Sequence, residues 1–242
     1  MATAIISQKP ARHVAREGRR EHLFFSVVAC LVLIGVFVGF ARTYFLAGFF
    51  RAKLPSLMVH IHGALFTLWI ALLVAQVALV ARGRRDWHMR LGKVGMFIAP
   101  LMVITGFATL IGAIKRRFVP PAVLQSIASA DTLILCFFAF LILWAFCARH
   151  DAATHKRLIL LATFLIIAPA IGRLAFGHSP IWFYLPLNIF PALLVAYDIW
   201  SRGALHRATI AGVSAIVLLQ VLQPVLAQST LMIRIIAHLQ RG

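Results

Sequence analysis

Negative charge is scarce in this chain of 242 residues. Six Asp and Glu face 24 Lys and Arg, and charged residues are only 12% of the total, about half their share in a soluble domain. Apolar residues reach 62%, and the mean hydropathy is +0.94. This composition excludes a water-soluble globule. The net charge of +18 therefore indicates membrane topology and no nucleic-acid partner.

Cysteine is also sparse, and the three residues Cys30, Cys136 and Cys147 all fall inside apolar blocks. That placement excludes a disulfide framework and a paired-cysteine zinc motif, so we interpret each as a small buried apolar residue. The sequence has no Gly-rich phosphate loop, nucleophile elbow, zinc-protease pair or carboxylate dyad. It thus carries no enzyme signature.

Long apolar blocks are present instead, and each is long enough to cross roughly 30 Å of hydrocarbon. They predict an all-α transmembrane bundle as the single domain, over 23–230, between a basic tail at 1–22 and a short C-terminal tail at 231–242. Prolines predict kinks in the last three spans: Pro169 in the fifth, Pro186 and Pro191 in the sixth, and Pro224 in the seventh. We place seven spans near 23–48, 57–81, 92–114, 127–148, 157–176, 181–200 and 207–228.

Basic residues indicate the orientation of these spans. With the N-terminus inside, fifteen of the 24 basic residues lie on the inner side, which predicts N-in and C-out. Lys115, Arg116 and Arg117 in the longest outer loop run against this orientation; if the first block were not a full span, the topology would invert. The inner fifteen are Lys9, Arg12, Arg16, Arg19, Arg20, Arg82, Arg84, Arg85, Arg90, Lys93, Arg149, Lys156, Arg157, Arg202 and Arg207.

Two histidines lie at the inner ends of spans that run in the same direction. His88 opens the third span and His155 opens the fifth, so they should share a depth. A b-type haem needs two imidazoles from different helices and a basic residue near its propionates, for which Arg90 and Arg157 are placed. The alternative is that both histidines bond helix caps, lipid phosphates or loop carbonyls.

A second group of histidines lies on the outer side: His60 and His62 in the second span and His178 between the fifth and sixth. With Asp131 and Arg42 they could hold a divalent metal ion, relay protons, or leave a plain ion pair between Arg42 and Asp131. His60 and His62 stand roughly 200° apart on one helix. A straight helix therefore cannot direct both at a single metal ion.

Steps of seven residues place His62, Trp69 and Gln76 on one face of the second span, which should look into the bundle. Asp198 in the sixth span should pair locally with Arg202, or support His155 or His88 as a hydrogen-bond acceptor. Three amides in the last two spans either line a solute path or join helices by hydrogen bonds: Asn188, Gln220 and Gln223.

Four short motifs together resemble a family of small bacterial membrane proteins with no settled activity, over roughly residues 40–175. The resemblance implies a seven-helix membrane fold in the bacterial inner membrane and supplies no mechanism. The motifs are Ala41–Leu46, His60–Thr67 with Trp69 and Gln76, His88–Gly92, and His155–Leu158.

The span-end histidines are also remotely similar to those of di-haem transmembrane cytochromes b, which carry two haem ligands on each side. Here the fourth span offers only His150, at its inner end, so an outer haem would lack its partner. The resulting hypothesis is haem or metal binding for electron transfer with a membrane redox partner or quinone. The alternatives are a small-solute or proton-coupled transporter, or a structural subunit. The oligomeric state stays open.

Overall fold

The computed structural model describes residues 9–51, 55–117, 119–174 and 180–241, and their side chains except those of 9–17 and 180–186. Every regular element in these ranges is a helix, which confirms the all-α prediction. The elements are α1 (Lys9–Phe40), a π-helix (Ala41–Phe45), α2 (Leu57–Ala81), α3 (Arg85–Arg116), α4 (Pro121–Cys147), α5 (Ala152–Ile166), α6 (Ala168–Leu174), α7 (Pro180–Arg202), α8 (Arg207–Ala227) and α9 (Thr230–Leu239).

The helices are long and apolar enough for a multi-pass membrane protein. Within the described residues, five qualify as membrane spans by length and hydropathy, namely α1 with the π-helix, α2, α3, α4 and α8. The pair α5 and α6 qualifies as a sixth span with a bend of 44°. The predicted span at 181–200 coincides with α7, whose first side chains lie outside the described residues.

The chain passes back and forth between two ends of the bundle. We call one the His88 end, where α3, α5 and α8 begin and α2, α4 and α7 finish. The other is the Arg42 end, where α1 and α6 finish and α2 and α4 begin. The candidate residues therefore form two groups, with His88 and His155 at the His88 end and Arg42, His60 and His62 towards the Arg42 end.

Helix α5 is the centre of the bundle. Nearly all of its residues from Arg157 to Ile166 are buried, and it packs against α4, α7 and α8. Trp69 of α2 donates its indole N–H to the Thr163 hydroxyl of α5 at 3.2 Å, so a polar contact crosses this apolar core. The kink predicted at Pro169 is present: α5 ends at Ile166, and α6 restarts with Pro169 in its first turn, a position that tolerates a missing N–H. Helices α7 and α8 continue through Pro186, Pro191 and Pro224.

Two smaller features were not anticipated: the helical structure of the C-terminal tail, and the exposure of the cysteines, whose expected burial is wrong. The segment predicted as a C-terminal tail forms the amphipathic helix α9, which buries Met232 and Ile236 against the ends of α3 and α4. The three cysteines are exposed at the bundle surface because their positions on the helices face away from the core. An apolar position in a membrane helix can face lipid as well as protein, so hydropathy alone does not identify buried residues.

One glycine sets the distance between α1 and α6. A Cβ on Gly39 would lie 2.5 Å from the carbonyl oxygen of Ala170, and this obstacle is backbone, which cannot rotate away. Close approach at small residues is how membrane helices gain packing contacts without a hydrophobic driving force. Gly35, one turn earlier on α1, has open space around it and offers a matched comparison.

We predict that Gly39→Ala destabilises the protein by about 1 to 3 kcal/mol, because the added methyl group must push α1 away from α6. Gly35→Ala should leave stability unchanged or raise it, since alanine is favoured over glycine in a helix by up to about 1 kcal/mol. Thermal unfolding of both variants in detergent measures the difference. Equal unfolding midpoints for the two variants would contradict the close helix contact.

Candidate functional site

His88 and His155 meet at the His88 end of the bundle, as their shared helix direction predicts. Their ring centroids are 6.5 Å apart and their planes are nearly perpendicular, at 89°. The His155 ring nitrogen Nδ1 lies 2.8 Å from the carbonyl oxygen of Ala145 at the end of α4. A neutral His155 therefore carries its proton on Nδ1, donates it to Ala145, and keeps the Nε2 lone pair free.

Unpaired polar atoms lie beside this histidine pair. Nδ1 of His88 and Oε1 of Gln76 are buried and have no hydrogen-bond partner among the described residues. The backbone of Gln76 also neighbours the His88 ring. The side-chain amide nitrogen of Gln76 lies over Gly92, where a Cβ atom would come within 3.5 Å of it. A buried polar atom without a partner costs roughly 1 to 3 kcal/mol, so such atoms often mark a functional site.

The cations around the pair differ from those we expected. Arg90 lies over the ring of Trp87 at 5.4 Å and is exposed at this end, which leaves its charge available. Arg85 is a further charged neighbour of His88, which the sequence analysis did not single out. The assignment of Arg157 to haem propionates is wrong, because its side chain is 2% exposed and already paired.

Asp198 is the partner of Arg157. The Arg157 guanidinium donates to Asp198 from Nε at 3.0 Å and from NH2 at 2.5 Å, and both side chains are buried. Asp198 also accepts from the Thr209 hydroxyl at 2.5 Å and from the backbone N–H of His206 at 3.1 Å. The expected local pair with Arg202 is therefore wrong: four donors from α5, α8 and the turn before α8 fully occupy this carboxylate.

Two groups at the ends of the helices have shifted pKa values with clear causes. The Thr154 hydroxyl donates to Asp151 and lowers the pKa of this carboxyl, which caps the start of α5. Burial lowers the pKa of His206, and the nearby Arg157 guanidinium lowers it further. A neutral His206 keeps Nδ1 as an acceptor, and it caps α8 by accepting from the Ala208 N–H at 3.1 Å.

The outer histidines point to separate partners, as their angular separation predicts. The ring of His60 lies 5.5 Å from that of Tyr44, whose hydroxyl donates to the His60 carbonyl at 3.2 Å. His62 contacts the Thr105 hydroxyl at 3.5 Å and the ring of Phe66. His178 lies outside the described residues.

Asp131 has a different cationic neighbour from the one we expected. Its electrostatic partner is Arg173 of α6, whereas Arg42 lies 5.5 Å over the ring of Phe50. The expected Arg42–Asp131 ion pair is wrong, since α4 begins at Pro121 and carries Asp131 nearly three turns into the bundle. In the described part of the chain no three His, Cys, Asp or Glu residues come together as a metal site, so His60, His62 and Asp131 do not form one.

The amides of the last two spans join helices. Asn188 and Gln220 exchange hydrogen bonds at 3.1 and 3.3 Å between α7 and α8. Gln223 donates to Ser126 and Ser129 on α4. These contacts agree with the interhelical interpretation.

Sequence reasoning missed Thr209, Arg173 and the Ala145 carbonyl. Of these, only Arg173 carried a usable signal, because it is a charged residue inside an apolar block. A hydroxyl partner or a backbone carbonyl becomes visible only when the helices are placed against each other.

Comparisons of the chain with protein-family models, with curated proteins and with solved structures found no match.

We predict that Asp198→Asn lowers the free energy of unfolding by about 3 to 5 kcal/mol, because it leaves the Arg157 charge buried and unpaired. The double variant Arg157→Met/Asp198→Leu should recover part of the loss, since no buried charge remains. Thermal unfolding in detergent provides the measurement. Asp86→Asn is the control, because Asp86 pairs with Arg84 at the exposed surface, where an ion pair contributes little.

Proposed function

We propose that this multi-pass membrane protein binds a b-type haem between His88 and His155 and takes part in membrane electron transfer. The observation that carries the proposal is the approach of these two imidazoles from different helices, α3 and α5, to 6.5 Å between ring centroids. Two metal–nitrogen bonds of about 2 Å each, with the ring radii added, fit this separation. When bound, haem iron supplies one-electron oxidation and reduction.

The hydrogen bonding of His155 supports its role as a ligand. An imidazole that ligates a metal almost always donates its other N–H to a carbonyl or carboxylate, which fixes the ring orientation. The contact from His155 Nδ1 to the Ala145 carbonyl is of this kind. Nδ1 of His88 is buried without a hydrogen-bond partner among the described residues, which is energetically unfavourable, and a bound group could remove this penalty.

The number of donors favours haem over a bare divalent ion. A protein site for zinc or a similar ion uses three or four side-chain ligands, and no such group occurs within the described residues. A haem iron needs only two axial ligands from the protein. Arg90, with Arg85 as a replacement for Arg157, supplies positive charge at the same end for the propionates.

The expected result is a Soret band in the visible spectrum of protein purified from haem-replete cells. His88→Ala and His155→Ala should each lower haem occupancy by at least about tenfold, because loss of even a residue that only supports a metal ligand lowers affinity by about 10- to 100-fold. His150→Ala is the control, because His150 is exposed at the same end of the bundle.

Metal analysis of the same preparations separates the alternatives. Colourless wild-type protein, or equal haem content in all variants, would contradict the proposal. Colourless protein with bound zinc, copper or iron would indicate a metal ion at this site. Protein with neither supports transport or a structural role.

We further propose that seven spans cross the bacterial inner membrane with the N-terminus inside and the C-terminus outside. The His88 end would then face the cytoplasm, where a quinone in the bilayer or a membrane redox partner would exchange electrons with the haem. The fifteen basic residues assigned inside support this orientation.

Reporter fusions at Gln8, after Arg116 and at Gly242 test the topology. We expect a cytoplasmic signal from the first fusion and external signals from the other two. A cytoplasmic signal at Gly242 would rule out either the seven-span count or the orientation.

A further inference from the structure

A cavity of about 430 Å³ opens at the Arg42 end, between the end of α1 and α6. Its polar lining consists of Arg42 and Thr43 on the π-helix and Arg173 on α6, and its apolar lining includes Phe50. A volume of this size is typical of small-ligand sites. The site described above lies at the opposite end of the bundle, so this cavity is separate from it.

Both guanidinium groups in the cavity are held in place by aromatic rings. Arg42 lies 5.5 Å over the ring of Phe50, and Arg173 lies 4.4 Å over the ring of Phe40. Arg173 also donates to the carbonyl of Pro169 at 2.7 Å. A cation–π contact occupies one side of a guanidinium, and its five N–H groups leave donors for a ligand.

The charges at this end do not balance. Among the described residues neither arginine forms an ion pair within 4.0 Å, and Asp131 is the one carboxylate that interacts electrostatically with Arg173. Two guanidinium groups against one carboxylate leave an excess positive charge. Charged groups at the edge of hydrocarbon are costly without a counter-charge, so the cavity favours an anion.

We propose that this cavity binds a phosphate group, carried by an anionic phospholipid headgroup or present as free inorganic phosphate. The edge of a guanidinium matches the spacing of phosphate oxygens and forms paired, charge-assisted hydrogen bonds with them. Phosphate presents enough oxygens to accept from both arginines, and the Thr43 hydroxyl adds a further donor. The residues assigned to electron transfer take no part in this site.

Two backbone features bring the arginines together. The π-helix from Ala41 to Phe45 follows directly on α1 and contains Arg42, so it changes the direction in which this residue leaves the helix. Such π-helical turns occur frequently at functional sites. The 44° bend between α5 and α6 directs α6 towards α1, and the contact of Gly39 with Ala170 holds the two helices together. The cavity is therefore formed by a broken helix and by a helix that ends in a π-helical segment, and membrane proteins use broken helices for ligand sites.

Ligand-dependent thermal stability of the purified full chain in a neutral detergent tests the proposal. The lipid arm compares phosphatidylglycerol with diacylglycerol, which has the same chains and no phosphate. The free-anion arm compares inorganic phosphate with chloride at equal ionic strength. We expect phosphate in at least one arm to raise the unfolding midpoint of the wild-type protein, and the responding arm identifies the source of the phosphate.

Substitutions connect the response to the cavity. Arg42→Gln and Arg173→Gln should each weaken the apparent affinity by about tenfold, the effect of losing one charge-assisted contact of about 1.4 kcal/mol. Arg116→Gln is the control, because Arg116 is an exposed residue at the end of α3. It lies at the Arg42 end of the bundle but does not line the cavity. Asp131→Asn should strengthen binding, because it removes the carboxylate that competes for Arg173.

The charge-conserving variants Arg42→Lys and Arg173→Lys keep the test decisive if the glutamine variants fail to fold. They should bind with intermediate affinity, because lysine keeps the charge but loses the paired donors. A wild-type midpoint that phosphate moves in neither arm overturns the proposal. So does a response that Arg116→Gln reduces as much as Arg42→Gln and Arg173→Gln do.

Discussion

The buried carboxylate of Asp198 holds the His88 end of the bundle together. Hydrocarbon offers a charged group no water, so the charge must be neutralised by neighbouring helices. Asp198 meets this requirement with Arg157 of α5 and with the Thr209 hydroxyl and the His206 N–H at the start of α8. The network fixes the depth and rotation of α5. His155 lies in the same turn of α5 as Arg157. The position of the candidate site therefore depends on the Arg157–Asp198 pair, although neither residue belongs to the site.

The shortage of acidic residues makes the two ends of the bundle electrostatically different. At the His88 end, Asp198 pairs with Arg157, and Glu21 of α1 pairs with Lys156. At the Arg42 end Asp131 is an electrostatic neighbour of Arg173, which lines the cavity together with Arg42. With six carboxylates in the whole chain, their positions decide where positive charge stays uncompensated. At the His88 end the two carboxylates Glu21 and Asp198 each have a cationic partner, whereas at the Arg42 end two guanidinium groups share the neighbourhood of one carboxylate.

Much of the fold could be predicted from the sequence, because apolar blocks report where a helix lies in hydrocarbon. The predicted limits of the second span, 57–81, coincide with α2, yet α3 and α4 begin earlier than hydropathy indicates. The first turns of α3 are charged and continue the helix beyond the apolar region, whereas α4 begins with the apolar residues 121–124, which precede the polar Gln125 and Ser126. Pro121 was a usable signal for the start of α4, since proline is favoured in the first helical turn.

The candidate site was predictable only in part. The approach of His88 and His155 followed from helix direction alone. The partner of Asp198 did not, because Arg157 is 41 positions away in the chain and their meeting depends on how α5 and α7 are rotated. A local rule for residues four apart suggested Arg202 instead. The same limit applies to Asp131 and Arg173, whose relation depends on the bend between α5 and α6.

The separation of Arg157 and Asp198 along the chain also has a consequence for biogenesis. A ribosome delivers α5 to the membrane before the helix that carries Asp198 has been synthesised, so the Arg157 charge enters without its partner. An arginine at the centre of a membrane helix disfavours insertion by about 2.5 to 3.5 kcal/mol, and the cost is smaller for Arg157, which lies in the second turn of α5. Stable integration of the central helix is thereby tied to the arrival of α7 and α8. Truncation before α7 would therefore leave the Arg157 guanidinium without the carboxylate that it pairs with in the folded bundle.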